Sequence, residues 1–359
     1  VNTKVRQRAS HEFGHFLFAK LFGVRVDEFG FGYPPKMISL GTWRETELSI
    51  NWIPFGGFVR LFGESDDGTE LSEEEKKVSL VYKPRWQQVL VMFGGILFNI
   101  IFACLLLSFS YMGGIQSAVS SAPEGYVFED TALTLTSVMP QSPADISGLK
   151  AGDIVLEFGT EDQRIIVENE DLESFSFFIN DAGAKQREVD IVVMRGETVE
   201  AFSVLPEEGI IADKFGIGVG LDQIGELKIG FFDSLWLGLK NTFRFIGIII
   251  VGFGQLLSGD IALDAVSGPV GIVGQVGEAS ALGFTFLLGF TAILSLNLAV
   301  LNAFPFPALD GGRILILIIE SIIRKRLNPT VVNWINGIGF FILIGFMLVV
   351  TIADVVKLF

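Results

Sequence analysis

Three stretches of this chain are apolar, uncharged and long enough to cross a bilayer. Residues 87–113, QQVLVMFGGILFNIIFACLLLSFSYMG, run 27 positions without a charge, against the roughly 20 that a helical span requires. Residues 334–353 and 284–303 are likewise uncharged, and the latter run on into FPFPALDGG. Each predicts a membrane-spanning helix. A fourth apolar stretch, 13–26, is shorter, and Lys20 interrupts it. Residues 1–10, VNTKVRQRAS, are polar and carry Lys4, Arg6 and Arg8. Only 11–26 remain for an apolar first helix, about 24 Å at 1.5 Å per residue. Against a ~30 Å hydrocarbon core this first helix is expected to be a truncated span. In 231–257, Lys240 and Arg244 share one helical face while Phe, Leu and Ile crowd the rest. That pattern predicts an amphipathic helix lying at the membrane surface, with a true span as the alternative.

Between these runs the period changes. Within 27–82, ELSINWIP and GGFVRLFG read as two short strands around a Pro-Gly-Gly turn, and SEEEKK (72–77) as a solvated loop. Residues 125–225 hold short alternating segments, LTLTSVMP, DIVLEFG, VDIVVMR and VEAFSVLP, with turn residues between them. The fold class expected is an α-helical membrane protein of about four helices with a small, water-soluble β-rich domain inserted between spans. The expected division is 1–114, 115–228 and 229–359.

Composition agrees with the pattern. Half of the 359 residues are hydrophobic, 34 are Phe, and the mean hydropathy is +0.53, values of a membrane protein rather than a soluble one. Cys104 is the sole cysteine, so no intramolecular disulfide exists. The basic opening residues are not followed by an apolar h-region and a small-residue cleavage site, so they are not expected to be a secretory signal peptide. The net charge of −15 argues against a nucleic-acid partner. The acid is concentrated: residues 115–283 contain 26 Asp and Glu against 9 Lys and Arg. Basic residues gather instead in 27–86 and in 304–333, including Lys36, Arg44, Arg60, Lys83, Arg85, Arg313 and Arg324. These two loops are expected to face the cytoplasm, and the acidic middle domain the opposite side.

The candidate chemistry begins at the chain's only two histidines, in HEFGH, residues 11–15. On a helix, positions i and i+4 share a face. His11 and His15 can therefore offer ring nitrogens to one ion, with Glu12 within reach of a water on it. H-E-x-x-H on a helix is the zinc metalloprotease signature for this reason. Ionisable groups in an apolar helix at membrane depth are costly unless functional. A catalytic zinc takes three protein ligands and leaves one position open. With no third histidine, the third ligand should be Asp or Glu. Asp310 directly follows an apolar run, although it could simply cap the helix that begins there. Glu320 lies further along the same helix and is a second candidate.

HEFGH, GPVGI (268–272) and LNAFPFPALDGGR (301–313) together resemble the site-2 protease family of intramembrane zinc metalloproteases, and the resemblance covers nearly the whole chain. It implies His11, His15 and Asp310 as Zn2+ ligands and Glu12 as the catalytic base. It implies that Asn302 positions substrate, and that Pro305 and Pro307 break the helix so that Asp310 reaches the histidines. INWIPFGGFVRLFGE resembles the family's membrane-associated β-hairpin, which can pair edge-on with an extended substrate; Gly56 and Gly57 belong to it. In GGILFN, Asn99 matches a family Asn, with Ile96 where the family has proline; Asn99 could equally serve as polar glue between helices. SPADISGLKAGDIVLEFG (142–159) resembles a PDZ domain, whose groove takes a peptide as an added strand.

The function so implied is hydrolysis of peptide bonds in transmembrane segments of single-pass membrane proteins, as in regulated intramembrane proteolysis. The chain would sit in the lipid bilayer of a bacterial inner membrane with the PDZ-like domain outside the cytoplasm and free to bind a peptide. The alternative is a non-enzymatic membrane adaptor in which the PDZ-like domain tethers partners and the zinc site is vestigial. A transporter fits poorly, since the spans are few and no half is repeated.

Overall fold

The computed structural model describes residues 2–64, 71–119, 128–167, 172–196, 198–211, 214–227, 229–260, 267–281 and 283–356. The chain divides into two compact units, Val1–Ser110 with Phe231–Phe359, and Tyr111–Gly230.

The first unit opens with α1 (Asn2–Leu21), so the polar residues ahead of the histidines are helical rather than a separate tail. Lys, Arg, Gln and Ala are all good helix formers, which suits that segment to extend the apolar helix. Strands β1 (Val26–Trp43) and β2 (Thr46–Leu61) follow. Here the expectation of two short strands around Pro54-Phe55-Gly56-Gly57 is corrected: both segments belong to the single strand β2. The chain reverses instead at Arg44-Glu45, where both residues are left-handed (φ 46° and 67°), the backbone that a two-residue hairpin turn demands. The glycines bend the strand rather than end it; Gly56 takes φ 89°. The bend lets β1 residues 28–31 pair twice, with 57–60 of β2 and also with 47–50.

After the short α2 (Glu73–Val78), helix α3 (Arg85–Met112) crosses the unit. Phe16, Ala19, Val26, Phe29, Leu61, Val91 and Met92 form one buried cluster that clamps α1, the sheet and α3 together. Past the second unit come α6 (Phe231–Ser258), α7 (Pro269–Ala281), α8 (Phe284–Ala303), α9 (Asp310–Ile323) and α10 (Pro329–Val356). Among the described residues α3, α6, α8 and α10 are long and apolar enough to cross a membrane. For α6 this departs from the surface helix expected. Lys240 and Arg244 are exposed, but Ser234, Leu237, Gly238 and Thr242 are buried. A Cβ added at Gly238 would meet Cys104 O at 3.1 Å, so α6 packs tightly on α3 there. One face is thus committed to protein, and the rest of its 28 residues is mostly apolar apart from Asp233, Lys240 and Arg244.

Unit two is built from β3 (Ile115–Ala118), β4 (Glu129–Val138), α4 (Pro143–Ser147), β5 (Ile154–Thr160), β6 (Gln163–Ile166), α5 (Leu172–Ala184), β7 (Val189–Arg195), β8 (Thr198–Val204), β9 (Glu207–Ile211), β10 (Lys214–Gly216) and β11 (Val219–Leu227). Its main sheet runs in the order β3-β11-β4-β5-β7-β8, with β6 beside β5. Leu133, Leu135, Val155, Phe158, Phe175, Ile179 and Ile191 fill the core under α5. SPADISG forms α4, capped by Ser142, which accepts from Asp145 N, and stopped by Gly148 at φ 96°. The loop after it is fastened from below. The Arg195 guanidinium donates through Nε and Nη2 to both oxygens of Asp153 (2.7 and 2.6 Å), and Lys150 N donates to the same carboxylate at 2.8 Å. Burial alone would push the Asp153 carboxyl up. The Arg195 fork and the Lys150 N–H outweigh it and hold this carboxyl below its usual range.

Candidate metal centre

Helix α1 places His11 and His15 one turn apart, both buried, with Nε2 atoms 3.1 Å from each other. Across from them stands Asp310, the first residue of α9. Its Oδ2 lies 3.1 Å from His11 Nε2 and 3.4 Å from His15 Nε2. One donor atom from each of the three falls within 4.8 Å of the others, close enough to hold a metal ion. Asp310 Oδ2 is buried without a well-formed hydrogen bond in the protein. A desolvated carboxylate oxygen facing two imidazole nitrogens is costly unless a cation compensates it. Two nitrogens and one carboxylate oxygen form a set that suits a catalytic zinc, which takes three protein ligands.

Asp310 does not cap its helix. The capping position is Leu309, and no side chain caps there. Glu320, the other acidic candidate, is not near the histidines: it accepts from Arg85 Nη2 at 2.8 Å and from Leu327 N at 2.8 Å. It lies ten residues along α9 from Asp310, about 15 Å of helix.

Asp310 reaches the histidines because α8 stops. Ala303 ends α8, and Phe304-Pro305-Phe306-Pro307-Ala308-Leu309 fold back before α9 begins. Proline cannot donate to a helix ladder and clashes with the preceding turn. The return is tight. A Cβ on Gly311 would meet Ala303 C at 2.6 Å, and one on Gly312 would meet Phe306 C at 2.6 Å. Only glycines allow the loop to lie on the start of α9. Asn302 sits in the last turn of α8, half-buried.

The histidines are backed by α3. His15 Nδ1 faces Val91 O at 2.8 Å, and His11 Nδ1 faces the Asn99 side-chain amide at 3.3 Å. Between these contacts, a Cβ at Gly95 would stand 2.5 Å from His15 Nε2 and 2.7 Å from His11 Cε1. Gly94 and Gly14 touch through their backbones. Asn99 is therefore at the site, against His11, rather than only between helices; GGILFN carried the signal, but nothing in it said which group the amide would meet.

Glu12 turns toward the sheet. Its Oε2 accepts from Val59 N at 3.1 Å. Val59 pairs with Phe29 on β1, and its N–H points the other way, so this edge of β2 faces the site. Gly56 and Gly57 lie at the bend just before it, with Gly57 opposite Phe31. Beside the centre lies an apolar cavity of about 640 Å³, lined by Ser10, Phe13, Phe29, Phe98, Phe102 and Leu287 among others.

Comparison with known proteins places the chain in a family. The family model for peptidase family M50 matches residues 9–346. A Clostridium perfringens protein provisionally named a zinc metalloprotease is 35% identical over 96% of this chain and 94% of its own length. Zinc metalloprotease RasP of Oceanobacillus iheyensis is 26% identical over 97% of this chain and 96% of its own. Zinc metalloprotease RasP of Geobacillus kaustophilus is 27% identical over 97% and 95%.

Proposed function

Since this chain belongs to peptidase family M50, the site-2 protease family, we propose that His11, His15 and Asp310 are its zinc ligands and Glu12 its general base. The chain is a zinc metalloendopeptidase and an integral membrane protein. The observation that carries the ligand assignment is the buried, uncompensated Asp310 Oδ2 set 3.1 and 3.4 Å from two imidazole nitrogens. A zinc ion held by these three residues would supply a water activated to a pKa of about 7 and a Lewis acid for a carbonyl.

The residues of the chain supply the rest. Val59 N–H holds Glu12 Oε2, which fixes the carboxylate beside the imidazoles and leaves Oε1 to take a proton and pass it to the leaving amine. The substrate is a single-pass membrane protein whose helix must first unwind, since a helical peptide bond is shielded by its own hydrogen bonds. An extended segment can pair along the 57–61 edge of β2, with the flexible backbone of Gly56 and Gly57 at its entry. Asn302, whose amide has no partner among the described residues, serves to hold that segment's backbone. The apolar cavity takes its side chains and keeps bulk water from the reaction.

The basic loops support an orientation with 27–86 and 304–333 in the cytoplasm and unit two outside it, in a bacterial inner membrane. Unit two is read as PDZ-like. Its groove of about 890 Å³, lined by Glu173, Phe177 and Asn180 of α5 and by Phe215, Ile217 and Leu221, suits an added peptide strand. The adaptor alternative would leave Asp310 uncompensated.

The test is cleavage of a reconstituted single-pass substrate by the Glu12→Gln variant. It is expected to bind about one zinc per chain and cleave nothing. Retained proteolysis would overturn the assignment of Glu12, and a zinc-free wild-type chain would overturn the centre.

A further inference from the structure

Val91, Gly95 and Asn99 follow one another at intervals of four on α3 and so share a face. That face is the back wall of the metal centre. Val91 offers a backbone acceptor to His15, Gly95 offers no atom at all, and Asn99 offers its amide to His11. Asn99 is fully buried. Its side chain also meets Ser10 Oγ at 3.0 Å, and its backbone oxygen accepts from Ser295 Oγ of α8 at 3.0 Å. The amide thus stands between the residue before the first ligand and the ring of the ligand itself, on a helix pinned to α8, which leads to Asp310.

The chemistry of the imidazole decides how that amide is turned. His11 aims Nε2 at Asp310 and His15, so Nε2 must carry the free lone pair. A neutral ring has one N–H, and it then resides on Nδ1 and requires an acceptor. His15 meets this need with Val91 O. For His11 the only side-chain group within hydrogen-bonding distance of Nδ1 among the described residues is the Asn99 amide, drawn with Nδ2 toward the ring. Amide oxygen and nitrogen are placed by their hydrogen bonds rather than by their shape. We infer that Asn99 is a positioning residue that presents Oδ1 to His11 Nδ1–H, with Nδ2 donating to Ser10 Oγ, and so fixes the tautomer and ring orientation in which His11 binds zinc. The Ser10 hydroxyl, 3.0 Å from the amide, can accept as well as donate and so accommodates this orientation. The inference rests on the reading of His11, His15 and Asp310 as ligands.

The test measures zinc affinity of the full-length chain by chelator competition, and the visible spectrum of the Co2+-substituted protein. Wild type and His11→Ala establish the ligand set first. Asn99→Ala is expected to weaken zinc binding about 10–100-fold and to alter the Co2+ bands, with thermal stability reported separately. Asn99→Asp keeps the volume and an acceptor but has no amide donor, and it is expected to bind zinc nearly as the wild type does. Wild-type affinity and Co2+ spectrum in Asn99→Ala would overturn the inference, leaving Asn99 as a helix-packing residue. Should Asn99→Ala not fold, Asn99→Asp decides alone: weakened binding there shows that the ring needs a donor and overturns the assignment. Failure of the wild-type chain to bind zinc would overturn the ligand set, and this inference with it.

Discussion

Adding one methyl group at Gly95 should cost this protein its metal while leaving its membrane helices in place. The Cβ of Gly95→Ala would stand 2.5 Å from His15 Nε2 and 2.7 Å from His11 Cε1. Carbon contacts become comfortable at about 3.5 Å, so something must yield by roughly 1 Å. The helices cannot part easily, because Gly14 and Gly94 already touch through their backbones and Phe16, Val91 and Met92 are locked in the cluster beside them. The imidazoles must therefore move. Metal–donor distances tolerate only about ±0.2 Å, and a misplacement of about 1 Å at a reacting centre costs on the order of 10²-fold. Zinc affinity should fall by at least two orders of magnitude. Chelator competition reads the affinity, elemental analysis the stoichiometry, and circular dichroism the helix content. Gly345→Ala on α10, where an added Cβ meets nothing within 4 Å, is the control. If Gly95→Ala bound zinc as tightly as wild type, the rings would not be held against α3 as described, and the argument for a fixed back wall would fail.

Gly312→Ala should likewise strip the metal, because its Cβ would run into the backbone of Phe306 and push the 304–309 loop, and with it Asp310, away from the histidines; zinc content of the purified variant checks this. Arg85→Ala leaves the buried Glu320 carboxylate without its ion-pair partner, with only the Leu327 N–H still donating to it, and should destabilise the first unit by about 3 kcal/mol, the low end of the cost of breaking a buried pair. Because Glu320 is not at the metal centre, zinc stoichiometry of that variant should stay at the wild-type value. In unit two, the pair of Asp153 and Arg195 predicts a pH effect whose sign is fixed. The folded-state pKa of Asp153 lies below its ordinary value, so its contribution is complete above the unfolded pKa of about 3.9 and disappears as the pH falls through the folded value. The acid limb of a melting-temperature profile followed on a unit-two signal should therefore flatten in Asp153→Asn, and an unchanged limb would refute the role given to the pair.

How much of this could be read from the sequence depended on the kind of constraint involved. Uncharged runs longer than twenty residues have one economical solution in lipid, so 284–303 is α8 to the residue and α3 and α10 are displaced only slightly at their ends. Pro54, Gly56 and Gly57 advertise a turn, whereas the turn is made by Arg44 and Glu45, whose left-handed backbone leaves no mark in composition. Helix α5 carries a legible signal, since Phe175, Ile179 and Ala182 repeat at helical spacing and are all buried. The pairing of His11 with His15 follows from period alone. The approach of Asp310 does not, since nothing local says where a chain leaving α8 will go.

What draws the donors together is a set of absent side chains. In a bilayer the lipid tails solvate apolar helices as well as other helices do, so close association depends on small residues that let backbones meet. Here Gly14 and Gly94 bring α1 onto α3, Gly95 leaves the space that the two rings occupy, and Gly311 and Gly312 let the broken end of α8 fold onto α9. Each holds its place by what it keeps clear, which is why a pattern of hydrophobic and polar positions cannot reveal it. All of these residues, like the candidate ligands themselves, lie within Val1–Ser110 or Phe231–Phe359. Among the described residues, the segment Tyr111–Gly230 contributes no donor atom to the cluster and no backbone to these glycine contacts. The donor atoms and the glycine contacts that set their distances thus all come from the first unit among the described residues.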